Sequence, residues 1–348
     1  MTKKLLATSA LFSTLALAGT SFAQTTITGS LDIVLRSQSH DVGGGAKSEN
    51  TMGRESQVNF ANKGKLNNGL DYAAGFSLEF DGTQAATNSE TSIANEGLYI
   101  NFISGGTTFH VGNDWMQNAK GDLVTAVGDI VDEVGSAVVT GTILQNVGSS
   151  PKESIGAGVL QNFGNGITAS ALYVPNLSNT GVGNDGGSTV STTGTNSAYE
   201  LGIKGVNVAN SGISFDAWLN EQKSDTPSSS TVRDLKGTAF GINYSKAPFS
   251  TGVSKLKTET QVVGTDVISK LGHVSYAISP NLTASLVYAE TDSTLASKNA
   301  DEKIKSLMVG YNFGPVGLLV TASRIDNVGG LSAGGDADAL GVSLNTRF

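Results

Sequence analysis

Residues 70–81 read LDYAAGFSLEFD, with Leu70, Tyr72, Ala74, Phe76, Leu78 and Phe80 on one side of a period of two. Asp71, Ala73, Gly75, Ser77, Glu79 and Asp81 fall on the other side. Successive side chains of a β-strand point to opposite faces, so one face of this strand is apolar and the other polar or small. Such a strand cannot lie between two dry layers. It needs oil on one side and water on the other.

The same alternation recurs along the chain. In residues 25–37, Ile27, Leu31, Ile33 and Leu35 oppose Thr26, Thr28, Ser30, Asp32 and Arg36. Further on come Phe240, Ile242 and Tyr244, then Leu282, Ala284, Leu286 and Tyr288, then Leu307, Val309, Tyr311 and Phe313. Leu340, Val342, Leu344 and Phe348 close the series, and no long stretch carries a helical period.

Connections between the strands fall into two classes. Short turns lie at Asn67-Asn68-Gly69, Gly105-Gly106, Gly164-Asn165-Gly166, Ala209 to Gly212, Ala247-Pro248, Ser279-Pro280-Asn281 and Gly314-Pro315. Longer polar loops are expected near residues 38–53, 81–95, 114–152, 175–197, 223–236, 259–265, 292–302 and 326–337. Seven turns and eight loops are fifteen connections, hence sixteen predicted strands. An even count brings both termini to one side, with short turns on that side and long loops on the other. The expected fold is therefore all-β, a transmembrane antiparallel up-and-down β-barrel. All six prolines fall in turns or loops, as a sheet with no free edge requires.

Composition agrees. Mean hydropathy is near zero, because a strand with one face in lipid and one in water averages out. Lys3 and Lys4, the apolar run Leu5 to Ala18 and Ser21-Phe22-Ala23 have the order of a secretory signal cleaved before Gln24, which leaves residues 24–348 as one domain. The chain has no cysteine, so export does not serve a disulfide framework. Of 22 basic residues the signal holds Lys3 and Lys4, leaving 20 against 30 acidic, a charge of −10 that argues against nucleic acid as a partner. Tyr72, Tyr244, Tyr276, Tyr311 and Phe348 lie near short turns or the C-terminus, and Tyr173 and Tyr288 lie nearer long loops, as two interfacial girdles would have it.

Three stretches carry a family resemblance: SQVNFANKGKLNNGLDY at Ser56 to Tyr72, GTTFHVGN at Gly106 to Asn113, and the terminal GVSLNTRF. The chain resembles the general porins of Gram-negative outer membranes along its whole mature length. That resemblance implies a water-filled channel for passive diffusion of small hydrophilic solutes and ions. It also implies a homotrimer, contact with outer-membrane lipid and lipopolysaccharide, and insertion by the barrel assembly machinery through a terminal signal of Leu340, Val342, Leu344 and Phe348. In the family the third long loop folds into the lumen, which here is residues 114–152 with Asp122, Asp129, Asp132 and Glu133. Opposite it, Gln57, Ala61 and Asn113 stand where basic wall residues are common, leaving Arg36 and Lys63 as the wall cations. A cation preference follows.

Other chemistry is thinly represented. His40, His110 and His273 have no partner at metal-ligand spacing, and no nucleophile, base and orienting group stand in a catalytic pattern, so neither an enzyme, a metal site nor a cofactor is expected. GVGNDGG at Gly181 to Gly187 resembles a single copy of a calcium-binding repeat that works only when stacked, and reads as a loop. The alternatives are a sugar-selective channel, for which only Tyr99 and Trp218 offer lumen aromatics, and a structural or adhesive barrel without a channel.

Overall fold

A computed structural model describes residues 24–42, 45–83, 93–112, 155–175, 196–224, 234–260, 266–294, 298–332 and 335–348. Residues 1–23, with the expected signal, lie outside the described residues. The strands are β1 (Gln24–Val42), β2 (Gly45–Lys65), β3 (Asp71–Thr83), β4 (Ile93–Ser104), β5 (Thr107–Gly112), β6 (Gly156–Gly164), β7 (Ile167–Val174) and β8 (Asn196–Gly205). They continue as β9 (Ile213–Ser224), β10 (Leu235–Lys246), β11 (Phe249–Thr260), β12 (Val267–Ser279), β13 (Leu282–Ser293), β14 (Glu302–Phe313), β15 (Val316–Asp326) and β16 (Ala337–Arg347). Each pairs antiparallel with its sequence neighbours. β1 and β16 close the ring, from Ser30 opposite Arg347 to His40 opposite Ala337. Closure removes the free sheet edge, the condition for a sheet that spans lipid.

Side-chain alternation separates the two faces of the wall. Ile27, Phe240, Val253, Leu286, Leu307 and Leu344 are exposed on the outer face, while Asn101, Asp216, Ser254, Ser269, Ser306 and Ser343 are buried on the inner one. Aromatic contacts tie neighbouring strands together outside: Phe60 stacks on Phe76 with ring centroids 4.9 Å apart, and Phe249 meets Tyr276 at 4.9 Å. Polar contacts do so inside: Ser269 and Thr291 hydroxyls are 2.6 Å apart, Ser306 and Ser323 2.7 Å, and Ser285 donates to Ser275 at 2.8 Å.

The short turns form where they were expected. Gly69 has φ +86° and its N–H donates to the Leu66 carbonyl, while the Asn68 side chain accepts from the Leu70 N–H at 3.1 Å. Gly166, at φ +80°, would place a Cβ 2.1 Å from the Val206 carbonyl oxygen, so this turn admits only glycine.

One connection differs from the expectation. Residues 38–53 are not a loop: β1 and β2 stay paired from Leu35 opposite Met52 to Val42 opposite Gly45, with only residues 43–44 outside the described strands. Hydropathy alternation vanishes there because both faces are polar, but the ladder of backbone hydrogen bonds does not depend on hydropathy.

Candidate functional site

The inner wall has two unlike sides. On β1 to β3, Asp32 stands opposite Glu55, and one row along Gln57 stands opposite Glu79. Arg36 lies farther toward the long-loop end of β1, and Lys63 two residues from the periplasmic-type turn end of β2. Arg36, Gln57, Ala61 and Lys63 share the inward face, as parity required. On β8 and β9 the inward face holds buried Glu200, Asp216 and Asn220, with Lys204 the register partner of Asp216. Tyr99 and His110 are buried between them, and His110 Nδ1 lies 2.8 Å from Asn101 Oδ1. Gly75 makes room for Tyr99: a Cβ at that position would come within 2.9 Å of the ring.

β10 to β15 form the other side. Among their described inward residues Glu302 is the one carboxylate, lysine or arginine; the rest are mostly Ser, Thr, Gly and small apolar residues. Glu302 is buried and accepts from the Gly329 N–H at 2.8 Å, which pins the turn between β15 and β16 over the end of β14. Asn299 reinforces this by exchanging hydrogen bonds with Ser332 at 2.9 and 2.8 Å.

Sequence reading missed a reversal at the long-loop end of this side. Leu256, Leu271, Ile304 and Ile325 are buried on the inward face with Ala239, Ala289, Ala337 and Trp218. Their neighbours along the chain, Lys255, Lys257, Lys270, Lys303, Lys305, Arg324 and Asp326, take the outer face. The phase of the alternation has inverted: apolar in, charged out. A barrel that projects past the lipid must do this, since its outer face then meets water or headgroups. The signal was present in Lys255-Leu256-Lys257, Lys303-Ile304-Lys305 and Arg324-Ile325-Asp326.

The terminal residues behave as a unit. Leu340, Val342, Leu344 and Phe348 share the outer face of β16. Phe348 exchanges backbone hydrogen bonds with Gly29 at 2.8 and 3.0 Å, and a Cβ on Gly29 would meet its ring at 2.4 and 2.6 Å. Gly29 interrupts the apolar series between Ile27 and Leu31, and that gap was its only mark in the sequence. Asn113, Asp122, Asp129, Asp132 and Glu133 lie outside the described residues, as does the third long loop.

Comparison with known proteins fits this geometry. A sequence model described as Gram-negative porin matches residues 7–330. Among solved structures, an anion-selective porin from Comamonas acidovorans superposes with a TM-score of 0.62 at 14% identity, over 94% of this chain and 100% of that one. A mutant of the Rh. blastica porin gives 0.56 at 14% identity, over 93% and 100%. No curated protein matches the sequence. A closed ring of sixteen antiparallel strands, apolar outside and polar within, together with a family match over most of its length, places the chain in the Gram-negative porin family.

Proposed function

We propose that this outer-membrane porin passes small hydrophilic solutes and ions by diffusion, prefers cations, and is exported by a signal in residues 1–23 and works as a homotrimer. The observation that carries the preference is the cluster of Asp32, Glu55 and Glu79 in two adjacent inward rows of β1 to β3, facing a side that is nearly free of charge. Carboxylates lining a narrow water-filled passage with low-dielectric walls raise the local cation concentration and repel anions. Asp122, Asp129, Asp132 and Glu133 would add to that field if residues 114–152 enter the lumen. The Comamonas acidovorans porin is named anion-selective, but at 14% identity the likeness is one of fold alone. Tyr99 on β4 and Trp218 on β9 lie far apart around the ring, which is no ladder for a sugar.

Planar bilayers test this directly. Purified protein should give stepwise conductance, and a KCl gradient should give a zero-current potential of cation sign. No conductance, or an anion-sign potential, would refute it. For the topology, an epitope tag in residues 181–187 or 226–230 should be reached by antibody on intact cells and a tag at Asn68 should not. The reverse pattern would invert the barrel.

A further inference from the structure

One buried donor on the inner wall lacks an acceptor. Trp218, in the middle of β9, is 4% exposed and on the inward face, and its indole Nε1 has no hydrogen-bond partner among the described residues. A buried N–H left unmatched costs free energy that an incoming acceptor recovers. The register supplies its surroundings. Gly202 on β8 and Ala239 on β10 stand opposite Trp218, so no long side chain flanks the indole across either strand. One inward step toward the long loops, Glu200 stands opposite Asn220; one step toward the short turns, Lys204 stands opposite Asp216. Along the inward face of β8 the order is therefore carboxylate, glycine, ammonium.

Glu200 and Lys204 are four residues apart, about 13 Å along a strand at roughly 3.3 Å per residue. Gly202 puts no side chain between them, and Trp218 borders the gap. A small cation there would leave Lys204 and the indole donor unanswered. A small anion would meet Glu200 and Asp216, and a neutral polyol gains nothing from the opposed charges. A solute with an ammonium at one end and a carboxylate at the other answers both ends through charge-assisted hydrogen bonds.

We propose that this patch is a binding subsite for small zwitterions, the class of free amino acids, with the ammonium on Glu200 and the carboxylate on Lys204 and the Trp218 Nε1. This rests on the channel reading above for the solute's route, but it is tested without conductance, so either can fail alone. The chain has two tryptophans, and Trp115→Phe makes Trp218 emission the sole signal from folded full-length protein in detergent. Added 4-aminobutyrate should change that emission saturably. It should bind at least about tenfold more tightly than butylammonium, butyrate or butane-1,4-diol, the worth of one charge-assisted hydrogen bond. Lys204→Gln should erase the advantage over butylammonium, and Glu200→Gln the advantage over butyrate. Titration calorimetry on the chain with both tryptophans keeps the test open if Trp115→Phe folds poorly. There Trp218→Phe, which keeps an aromatic ring and loses the N–H, should weaken 4-aminobutyrate severalfold and leave butylammonium unchanged. Equal binding of the four probes, no saturable binding of 4-aminobutyrate, or a preference untouched by Lys204→Gln would overturn the proposal.

Discussion

Removing Phe348 should leave export intact and lower the amount of folded barrel in the outer membrane by at least about tenfold, because an unsatisfied backbone group in lipid costs several kcal/mol. Phe348 supplies the last two hydrogen bonds of the seam between β16 and β1, both to Gly29. Phe348→Ser keeps those bonds and loses only the ring, so its defect should be smaller. Gly29→Ala should resemble Phe348→Ser, since the new Cβ would lie 2.4 Å from a ring atom and the ring must leave. Combining Gly29→Ala with Phe348→Ser should then add little, as expected when two changes remove one contact. Heat-modifiable bands in outer-membrane fractions read the yield. Wild-type yields for the deletion, or fully additive losses in the double variant, would dissociate the glycine from the terminal ring.

The second large effect concerns charge. Changing Asp32 to Asn and Glu55 and Glu79 to Gln should move the zero-current potential in a KCl gradient toward the anion side, with folded yield unchanged. Unit charges about 6 Å apart interact by roughly 3 kcal/mol at an effective dielectric near 20, and by under about 1 kcal/mol in bulk water. About 1.4 kcal/mol is tenfold, so a partial share of that interaction gives a several-fold preference. The preference should fade as the Debye length falls to about 3 Å near 1 M salt. A parallel variant, Asp129→Asn, Asp132→Asn and Glu133→Gln, separates the loop from the wall. If only the loop variant shifts the potential, residues 114–152 control selectivity and the wall acids are spectators. A salt-independent potential in both would count against carboxylate control altogether.

Much of this molecule was legible from period and punctuation. The alternation at 70–81 placed Tyr72, Phe76 and Leu78 outward, and glycine and proline marked the turns, so strand number and closure followed from counting connections. Two things were hidden for physical reasons. Where both faces of a strand carry mostly polar or small residues, as in residues 38–53, hydropathy carries no period and only backbone pairing reveals the strand. Where the outer face leaves lipid, apolar residues switch sides, and a reading that equates apolar with outward turns Leu256 and Ile304 the wrong way. Arg36 and Lys63 were read as wall residues by parity and Gln57 by the family resemblance, and all three share the inward face because register preserves parity over any length without a bulge. Gly29 was invisible because its role depends on a residue more than three hundred positions away.

The reversal of phase on β11 to β15 also fixes how deep the molecule can sit. Below the row of Gly272, Tyr288, Lys305 and Arg324, down to the short turns, the described residues of β11 to β15 carry no outward lysine or arginine; from that row upward the outer face carries charge on every one of these strands. Vertical displacement by a single strand row in either direction therefore drags charge into hydrocarbon or lifts apolar side chains into water, and each ångström of such mismatch carries a modest cost shared around the ring. The barrel acts as a float with a painted waterline: in a thicker bilayer the lipid must thin to meet it, and in a matched one the pore mouth is held at constant height.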